Sequence, residues 1–176
     1  MKTIDLESEI SSFDLTEIIE GEEIMSPSPL TIHQKIVLRL LRKISEHTER
    51  LNQGEAFVSP LDVIFEEGIN RLQPDIIFIK KDNLHIVQDW IRGVPDVLIE
   101  VVSEGSVTID TVKKKAVYER YGVPEFWIVY PSLKTIEIFV LESGKYQLHS
   151  FAELQGKVTS KIIGDFELYI DKIFSD

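Results

Sequence analysis

The sequence predicts one domain of the α/β class, because apolar residues recur at helical spacing in two segments and at strand spacing in several others. A length of 176 residues suits a single domain that buries most of the surface of its unfolded chain. Apolar residues make up 43% and charged residues 28%, which is ordinary usage for a globular protein rather than a disordered or fibrous one. No repeat or low-complexity stretch divides the chain.

The N-terminal segment is acidic and predicts a short helix followed by a hairpin. Phe13 and Leu15 indicate the helix within residues 4–25. Glu20-Gly21-Glu22 predicts the hairpin turn, because glycine supplies the positive φ that such a turn needs. The prolines among residues 26–29 then interrupt regular structure.

Two longer helices follow from the period of the apolar residues. The first begins at Thr31, which can cap it, and runs to about Asn52, with Gly54 as the stop signal. The second covers residues 108–121 and stops at Gly122. Both segments therefore present an apolar stripe that a sheet can cover.

The predicted strands are apolar throughout or alternate apolar and polar residues with period two. They cover residues 56–59, 61–66, 74–80, 97–102, 126–130, 135–141 and 145–150. Residues 89–91 lie in a connection that Gly93 closes, and residues 166–174 predict a short strand and a helical turn.

Acidic residues interrupt two of the apolar strands. Asp75 starts one strand, and Glu100 lies in the middle of the other, on the same face as Asp96. A buried carboxylate is costly unless it is paired, hydrogen-bonded or bound to a metal, so Asp75 and Glu100 are candidate ligands of a hard cation. Asp75 could equally cap a loop, and Asp96 is better explained by a structural role in the turn before its strand.

Three consecutive lysines follow on the second helix, and helical spacing distinguishes them. Lys114 shares the inward face with Asp110 and Tyr118. Lys115 lies four residues before Glu119, which predicts a solvent-exposed ion pair. Lys114 is therefore the candidate site lysine.

Composition also limits the function. The absence of cysteine excludes disulfides and thiolate chemistry and suits a reducing cytoplasm. No signal peptide or membrane span is indicated, so no membrane association is expected. The net charge of −11 argues against nucleic acid as a partner unless it meets a local basic patch, is bridged by divalent cations or docks on an oligomer.

Several motifs in a fixed order resemble the Uma family of restriction-endonuclease-like proteins, within the PD-(D/E)XK nuclease superfamily. The resemblance covers most of the chain, and the joint order of the motifs is more specific than any one of them. The motifs are Thr16 to Glu22, Ser28-Pro29 with Ile32-His33-Gln34, Gln73-Pro74-Asp75, Gly93 to Ser103, the Asp110, Lys114 and Tyr118 helix, and Gly122 to Trp127.

This resemblance implies a restriction-endonuclease-like core, with a central mixed β-sheet flanked by helices. The whole chain, residues 1–176, would form this domain: a helix and hairpin over 1–30, the catalytic core over 31–130 and C-terminal strands over 131–176.

The resemblance also implies roles for individual residues. Asp75 and Glu100 would bind Mg²⁺ or Mn²⁺, and Lys114 would lie beside the scissile phosphate, since Val102 occupies the superfamily's usual lysine position. Accessory positions would be filled by Glu17, His33, Asp96 and Tyr118. For His33 a buried structural role is an equal alternative.

The function implied by the resemblance is metal-dependent hydrolysis of phosphodiester bonds in DNA, with RNA left open. A homodimer would suit cleavage of both strands of a duplex. The alternative is a catalytically idle interaction or regulatory domain on the same fold. Residues 103–108 favour this alternative, because they form an acidic segment without the arginines that would grip phosphate.

Overall fold

The structure is a computed structural model that describes residues 16–25, 28–103 and 105–175. The described helices are α1 (Thr31–Arg50), a 3₁₀ helix (Lys81–Ile86), α2 (a π-helical part, Ile109–Lys114, continued by an α-helical part, Lys115–Tyr121) and α3 (Asp171–Phe174). The described strands are β1 (Thr16–Ile19), β2 (Glu22–Met25), β3 (Gly54–Val58), β4 (Val63–Glu66), β5 (Asn70–Leu72), β6 (Ile76–Lys80), β7 (Ile91–Arg92), β8 (Val97–Val101), β9 (Glu125–Tyr130), β10 (Thr135–Glu142), β11 (Lys145–Glu153), β12 (Lys157–Thr159) and β13 (Glu167–Tyr169).

A mixed sheet in the order β11-β10-β9-β8-β6-β3 forms the centre of the fold. β8 and β9 run parallel, and the other neighbouring strands of this sheet run antiparallel. Parallel neighbours need a crossover connection, and α2 supplies it. The end of β8 and the start of α2 therefore lie together at the carboxyl ends of the parallel strands.

The two faces of the central sheet bury different partners. On one face, α1 packs through Ile36, Leu40 and Ile44 against apolar residues of the sheet and the C-terminal segment. On the other face, Tyr118 of α2 and Val63 of a second sheet complete a separate apolar cluster. That second sheet has the order β2-β1-β5-β4-β7. The alternation predicted for β8 is confirmed, because Val97, Ile99 and Val101 face the α1 side and Leu98 faces the other.

The predicted N-terminal hairpin is confirmed, whereas the predicted helix near Phe13 and Leu15 lies outside the described residues. β1 and β2 pair antiparallel across Glu20 and Gly21, both of which have positive φ. The proposed division of the chain at residues 30 and 130 stays a prediction. No helix in the described ranges is long and apolar enough to cross a membrane.

Other predicted boundaries shift for identifiable reasons. Gly54 is the first residue of β3 rather than the end of α1, which stops at Arg50. A Cβ on Gly54 would clash with the carbonyl oxygen of Ile79, so only glycine allows β3 to approach β6 this closely. Tail residues 166–174 contain β13 and α3, as predicted.

The ion pair predicted between Lys115 and Glu119 is wrong. The carboxylate of Glu119 pairs with Lys145 at 2.6 Å, and the Lys115 ammonium lies 3.3 Å from the centre of the Phe139 ring. Helical spacing placed the two residues close together but could not reveal that β10 and β11 offer each of them another partner.

A buried carboxylate on β9 is satisfied entirely by hydrogen bonds. Glu125 is fully buried, and its Oε1 accepts from Trp127 Nε1 at 2.7 Å and from Ser160 Oγ at 2.6 Å. Its Oε2 accepts from the backbone nitrogens of Lys161 at 2.7 Å and Ile162 at 3.2 Å. Three of these four donors belong to the C-terminal segment and hold it against the central sheet, so the acid has a structural role.

We predict that Glu125→Gln lowers the free energy of unfolding by about 2 kcal/mol or more. Either orientation of the amide turns an NH₂ group towards an N–H group that cannot reorient, which leaves buried donors unpaired. Urea unfolding measures the loss, with Glu153→Gln on exposed β11 as the matched control. Equal stability of the two variants would contradict the structural role of Glu125.

Candidate active site

A cleft of about 310 Å³ opens where the first turn of α1, the start of β6, the end of β8 and the π-helical part of α2 meet. Most of its polar lining consists of residues that the sequence also singles out. The ionisable residues that line it are Glu17, His33, Asp75, Glu100, Asp110 and Lys114. Ser103 and Ser106 border the same space.

Asp75 lies immediately before β6 and is fixed by two donors. Its Oδ2 accepts from the backbone nitrogen of Val101 at 2.7 Å and lies 3.1 Å from Nε2 of His33. Its Oδ1 accepts no hydrogen bond from any residue that the structure describes, and 18% of the side chain is exposed. One oxygen thus orients the carboxylate, and the other is free to bind a ligand in the cleft.

Glu100 on β8 is more deeply buried, with 2% of the residue exposed. Its Oε1 accepts from the Tyr118 hydroxyl at 2.6 Å and lies 3.2 Å from Nζ of Lys114. Within the described part of the chain, its Oε2 accepts no hydrogen bond. Tyr118 therefore acts behind the cleft by orienting Glu100.

Lys114 has its ammonium group among three carboxylates. Nζ lies 2.9 Å from Glu17, 3.2 Å from Glu100 and 3.7 Å from Asp110, and only 3% of the residue is exposed. Glu17 reaches this position from β1, and its Oε1 also accepts from the backbone nitrogen of Gln73 at 2.7 Å. The lysine thus links three segments of the fold at one point.

The cleft carries more negative than positive charge, and the pKa shifts reflect this. Burial raises the pKa of Glu100 well above its ordinary value, against the attraction of Lys114 and with the help of the neighbouring acids. Burial opposes the charge of Lys114, but Glu100, Glu17 and Asp110 outweigh it and raise its pKa. Lys114 is therefore protonated at neutral pH.

His33 also gains a proton more readily than a free histidine. Burial disfavours its charged form, but the hydrogen bond and the charge of Asp75 raise its pKa overall. Nδ1 of His33 is buried and has no hydrogen-bond partner among the described residues. Both alternatives for His33 stay open, because the residue is buried and yet holds a carboxylate of the cleft.

Asp96, by contrast, does not border the cleft. Its Oδ2 accepts from the backbone nitrogen of Lys80 and the side-chain amide of Asn83, both at 2.9 Å. Asn83 also donates to the carbonyl oxygen of Val94 at 3.0 Å. The contacts among Asn83, Val94 and Asp96 therefore fix the turn before β8. Asp96 thus stabilises the turn next to which it lies in the sequence and does not line the cleft.

Asp110 and Ser106 belong to the cleft but were not among the predicted site residues. Asp110 is 5% exposed and accepts a hydrogen bond from the Ser106 hydroxyl. Burial raises the pKa of Asp110, whereas Lys114 and the Ser106 hydrogen bond oppose the rise. Asp110 lies four positions before Lys114 on the same helix, and this spacing was the signal that could have identified it.

The cleft fits a hard divalent cation through its donor chemistry. No group of three or more His, Cys, Asp or Glu side chains in the described ranges is close enough to hold a metal. Mg²⁺, however, commonly uses one or two carboxylates and keeps several waters. Oδ1 of Asp75 and Oε2 of Glu100 provide two carboxylate oxygens, and the surplus negative charge favours a cation.

The fold combines a mixed central sheet, flanking helices and acids that meet at one end of the central strands. These features define a restriction-endonuclease-like protein. The chain belongs to the Uma2 family, described as "Putative restriction endonuclease", whose sequence profile matches residues 9–171. The resemblance and the fold class inferred from the sequence are thereby confirmed.

A solved structure supports the same fold. It is described as the crystal structure of "a putative nuclease belonging to DUF820" from Anabaena variabilis ATCC 29413. The two chains are 20% identical, the match covers 91% of this chain and 89% of that chain, and the TM-score is 0.76. At this identity the likeness shows the fold alone. No curated protein matches the sequence.

We predict that Lys114→Met lowers the free energy of unfolding by about 3–5 kcal/mol, because it leaves three buried carboxylates without their cation. Urea unfolding at neutral pH measures the loss. Lys113→Met is the matched control, since Lys113 is exposed on the same helix. Equal stability of the two variants would show that Lys114 does not hold the acids together.

We predict that Glu100→Gln stabilises the protein in EDTA, and increasingly so as the pH rises above the ordinary glutamate value of 4.5. Because the pKa of Glu100 is raised in the folded state, the stability of the wild type is fully present below the ordinary value. It is lost as the pH rises through the folded-state pKa and Glu100 ionises. Chemical unfolding across pH 4 to 8 measures the difference, and a variant whose advantage shrinks with rising pH would contradict this sign.

Proposed function

We propose that this protein is a metal-dependent endonuclease that hydrolyses phosphodiester bonds of DNA. Its family and its nuclease-like fold support a nuclease. The observation that carries the proposal is that Asp75, Glu100 and Lys114, which come from three separate elements, line one cleft. This set of two acids and a lysine suits phosphodiester chemistry, in which negative charge increases at the phosphate.

Asp75 and Glu100 are the residues that would hold Mg²⁺ or Mn²⁺. When bound, the ion supplies a water of lowered pKa and offsets charge on the phosphate. The chain contributes the orientation of both ligands: His33 and the backbone of Val101 fix Asp75, and Tyr118 fixes Glu100. Each carboxylate is thereby held with one oxygen directed away from its protein donors.

Lys114 contributes a fixed positive charge. Because the three surrounding acids keep it protonated, it attracts phosphate oxygens as a point charge and does not accept a proton from water. Its contacts with Glu17 and Asp110 also prevent the long side chain from leaving the cleft. Its role in the proposed reaction is electrostatic.

A catalytically idle domain on the same fold is the second candidate, and one observation favours it. The ammonium of Lys114 is already surrounded by three carboxylates, and the chain carries a net charge of −11. A polyanion would approach such a protein against electrostatic repulsion. Binding of DNA would then depend on the divalent cation.

The deciding experiment incubates supercoiled plasmid with the protein and Mg²⁺, Mn²⁺ or EDTA at low salt. We expect nicking or linearisation with either metal, none in EDTA, and none with Glu100→Gln. That variant is informative because it is expected to be folded and more stable than the wild type. Glu153→Gln serves as the matched control, because it removes an exposed acid outside the cleft.

Two further measurements separate the candidates. Calorimetry with Mn²⁺ should detect binding to the wild type and not to Glu100→Gln or Asp75→Asn. Single-stranded DNA and RNA oligonucleotides, offered with the plasmid, identify the polymer that is cut. A folded wild type that binds no metal and cuts none of these substrates would favour the idle domain, and equal cleavage by Glu100→Gln would exclude Glu100 from the reaction.

A further inference from the structure

A chain of three side chains leads from the mouth of the cleft to a buried acid. Ser103 is partly exposed after β8, Ser106 is 7% exposed and Asp110 is 5% exposed. The hydroxyls of Ser103 and Ser106 lie 3.0 Å apart, and the Ser106 hydroxyl bonds to Oδ2 of Asp110. All three residues line the cleft that contains Asp75 and Glu100.

The direction of the hydrogen bonds in this chain is fixed by chemistry. An ionised Asp110 can only accept, so Ser106 donates its single hydroxyl hydrogen to it. Ser106 then accepts from the hydroxyl of Ser103, and also from the backbone nitrogen of Ser103 at 3.1 Å. The Ser103 oxygen keeps a free lone pair for a donor in the cleft, such as a water molecule.

We propose that Ser103, Ser106 and Asp110 form a proton relay that takes a proton from the attacking water during hydrolysis. This inference rests on the proposed function. The proposed reaction needs a group that accepts a proton from the attacking water. Lys114 does not suit this role, because three carboxylates surround its ammonium group and keep it protonated. Asp110 is a buried acid that a chain of hydroxyls connects to the cleft.

The relay conserves protons and bonds. The water passes a proton to Ser103, Ser103 passes its own to Ser106, and Ser106 passes its own to Oδ2 of Asp110. The hydroxide forms a bond to phosphorus as the bond to the leaving oxygen breaks. The leaving oxygen takes a proton from a second water, and the hydroxide so formed recovers the proton from Asp110 through the same hydroxyls.

Other ionisable groups face Asp110 and influence its titration. Lys114 on the same helix stabilises its charge, and the acids on neighbouring elements oppose it. The groups that interact with Asp110 across the cleft are Glu17, His33, Asp75 and Glu100. The pH dependence is therefore measured at saturating Mg²⁺, where protonation of the two proposed metal ligands is suppressed.

The test measures single-turnover cleavage of a DNA substrate between pH 5 and 9. We expect Asp110→Asn to slow cleavage by roughly 10²-fold or more at neutral pH and to move the acid limb of the profile to higher pH. Ser106→Ala should slow cleavage at least about tenfold, and Ser106→Thr should restore it. Thr111→Ala, which removes a hydroxyl from the same helix outside the relay, should leave the rate unchanged.

The outcomes distinguish this inference from the proposed function. An active wild type together with Asp110→Asn or Ser106→Ala at the wild-type rate would overturn the relay alone. A rate lowered by the same factor at every pH, without rescue by Ser106→Thr, would give the three hydrogen-bonded side chains a structural role. That result would also overturn the relay. A folded wild type that cuts no substrate with either metal would overturn both proposals.

Discussion

The ion cluster around Lys114 is the interaction on which the rest of the site depends. Burying a single ammonium costs several kcal/mol, and only close carboxylates can offset it. Glu17, Glu100 and Asp110 do so from β1, β8 and α2, so one charge fixes the relative positions of both sheets and the crossover helix. The cleft exists because these elements are held together at this point.

Burial alone does not distinguish a functional carboxylate from a structural one. Glu125 and Glu100 are both buried on neighbouring parallel strands, yet Glu125 has four hydrogen-bond donors for its two oxygens. Glu100, in contrast, contacts both of its partners among the described residues, Tyr118 and Lys114, through a single oxygen. Glu100 is a candidate ligand because its other oxygen accepts no hydrogen bond from the described residues. This difference between the two oxygens cannot be predicted from a sequence pattern.

The sequence predicts those parts of the fold that local periodicity determines. The buried stripe of α1, the alternation of β8 and the hairpin at Glu20-Gly21 follow from spacing and from glycine's backbone freedom, and the structure contains all three. Short strands such as β5 and β7 have two or three residues, and each pairs with a strand that is distant in the sequence, β5 with β1 and β7 with β4. Their positions are therefore set by tertiary contacts, which no local window contains.

The same distinction applies to the site. Asp75 and Glu100 could be singled out because each is an acid in an otherwise apolar strand, and Lys114 because helical spacing places it on the inward face of its helix. Ser106 could not be singled out, because serine in a loop is ordinary. Its significance depends on its hydrogen bond to Asp110, four positions further along the chain.

The acidity of the chain and the composition of the cleft lead to the same requirement. Four acids and one lysine converge in a protein whose net charge is −11, so the cleft repels a phosphate in the absence of a further cation. Substrate and cation binding are therefore energetically coupled in the proposed enzyme, because each reduces the electrostatic cost of the other. A basic surface, which nucleic-acid binders usually display, is then not required for the protein to act on a polyanion.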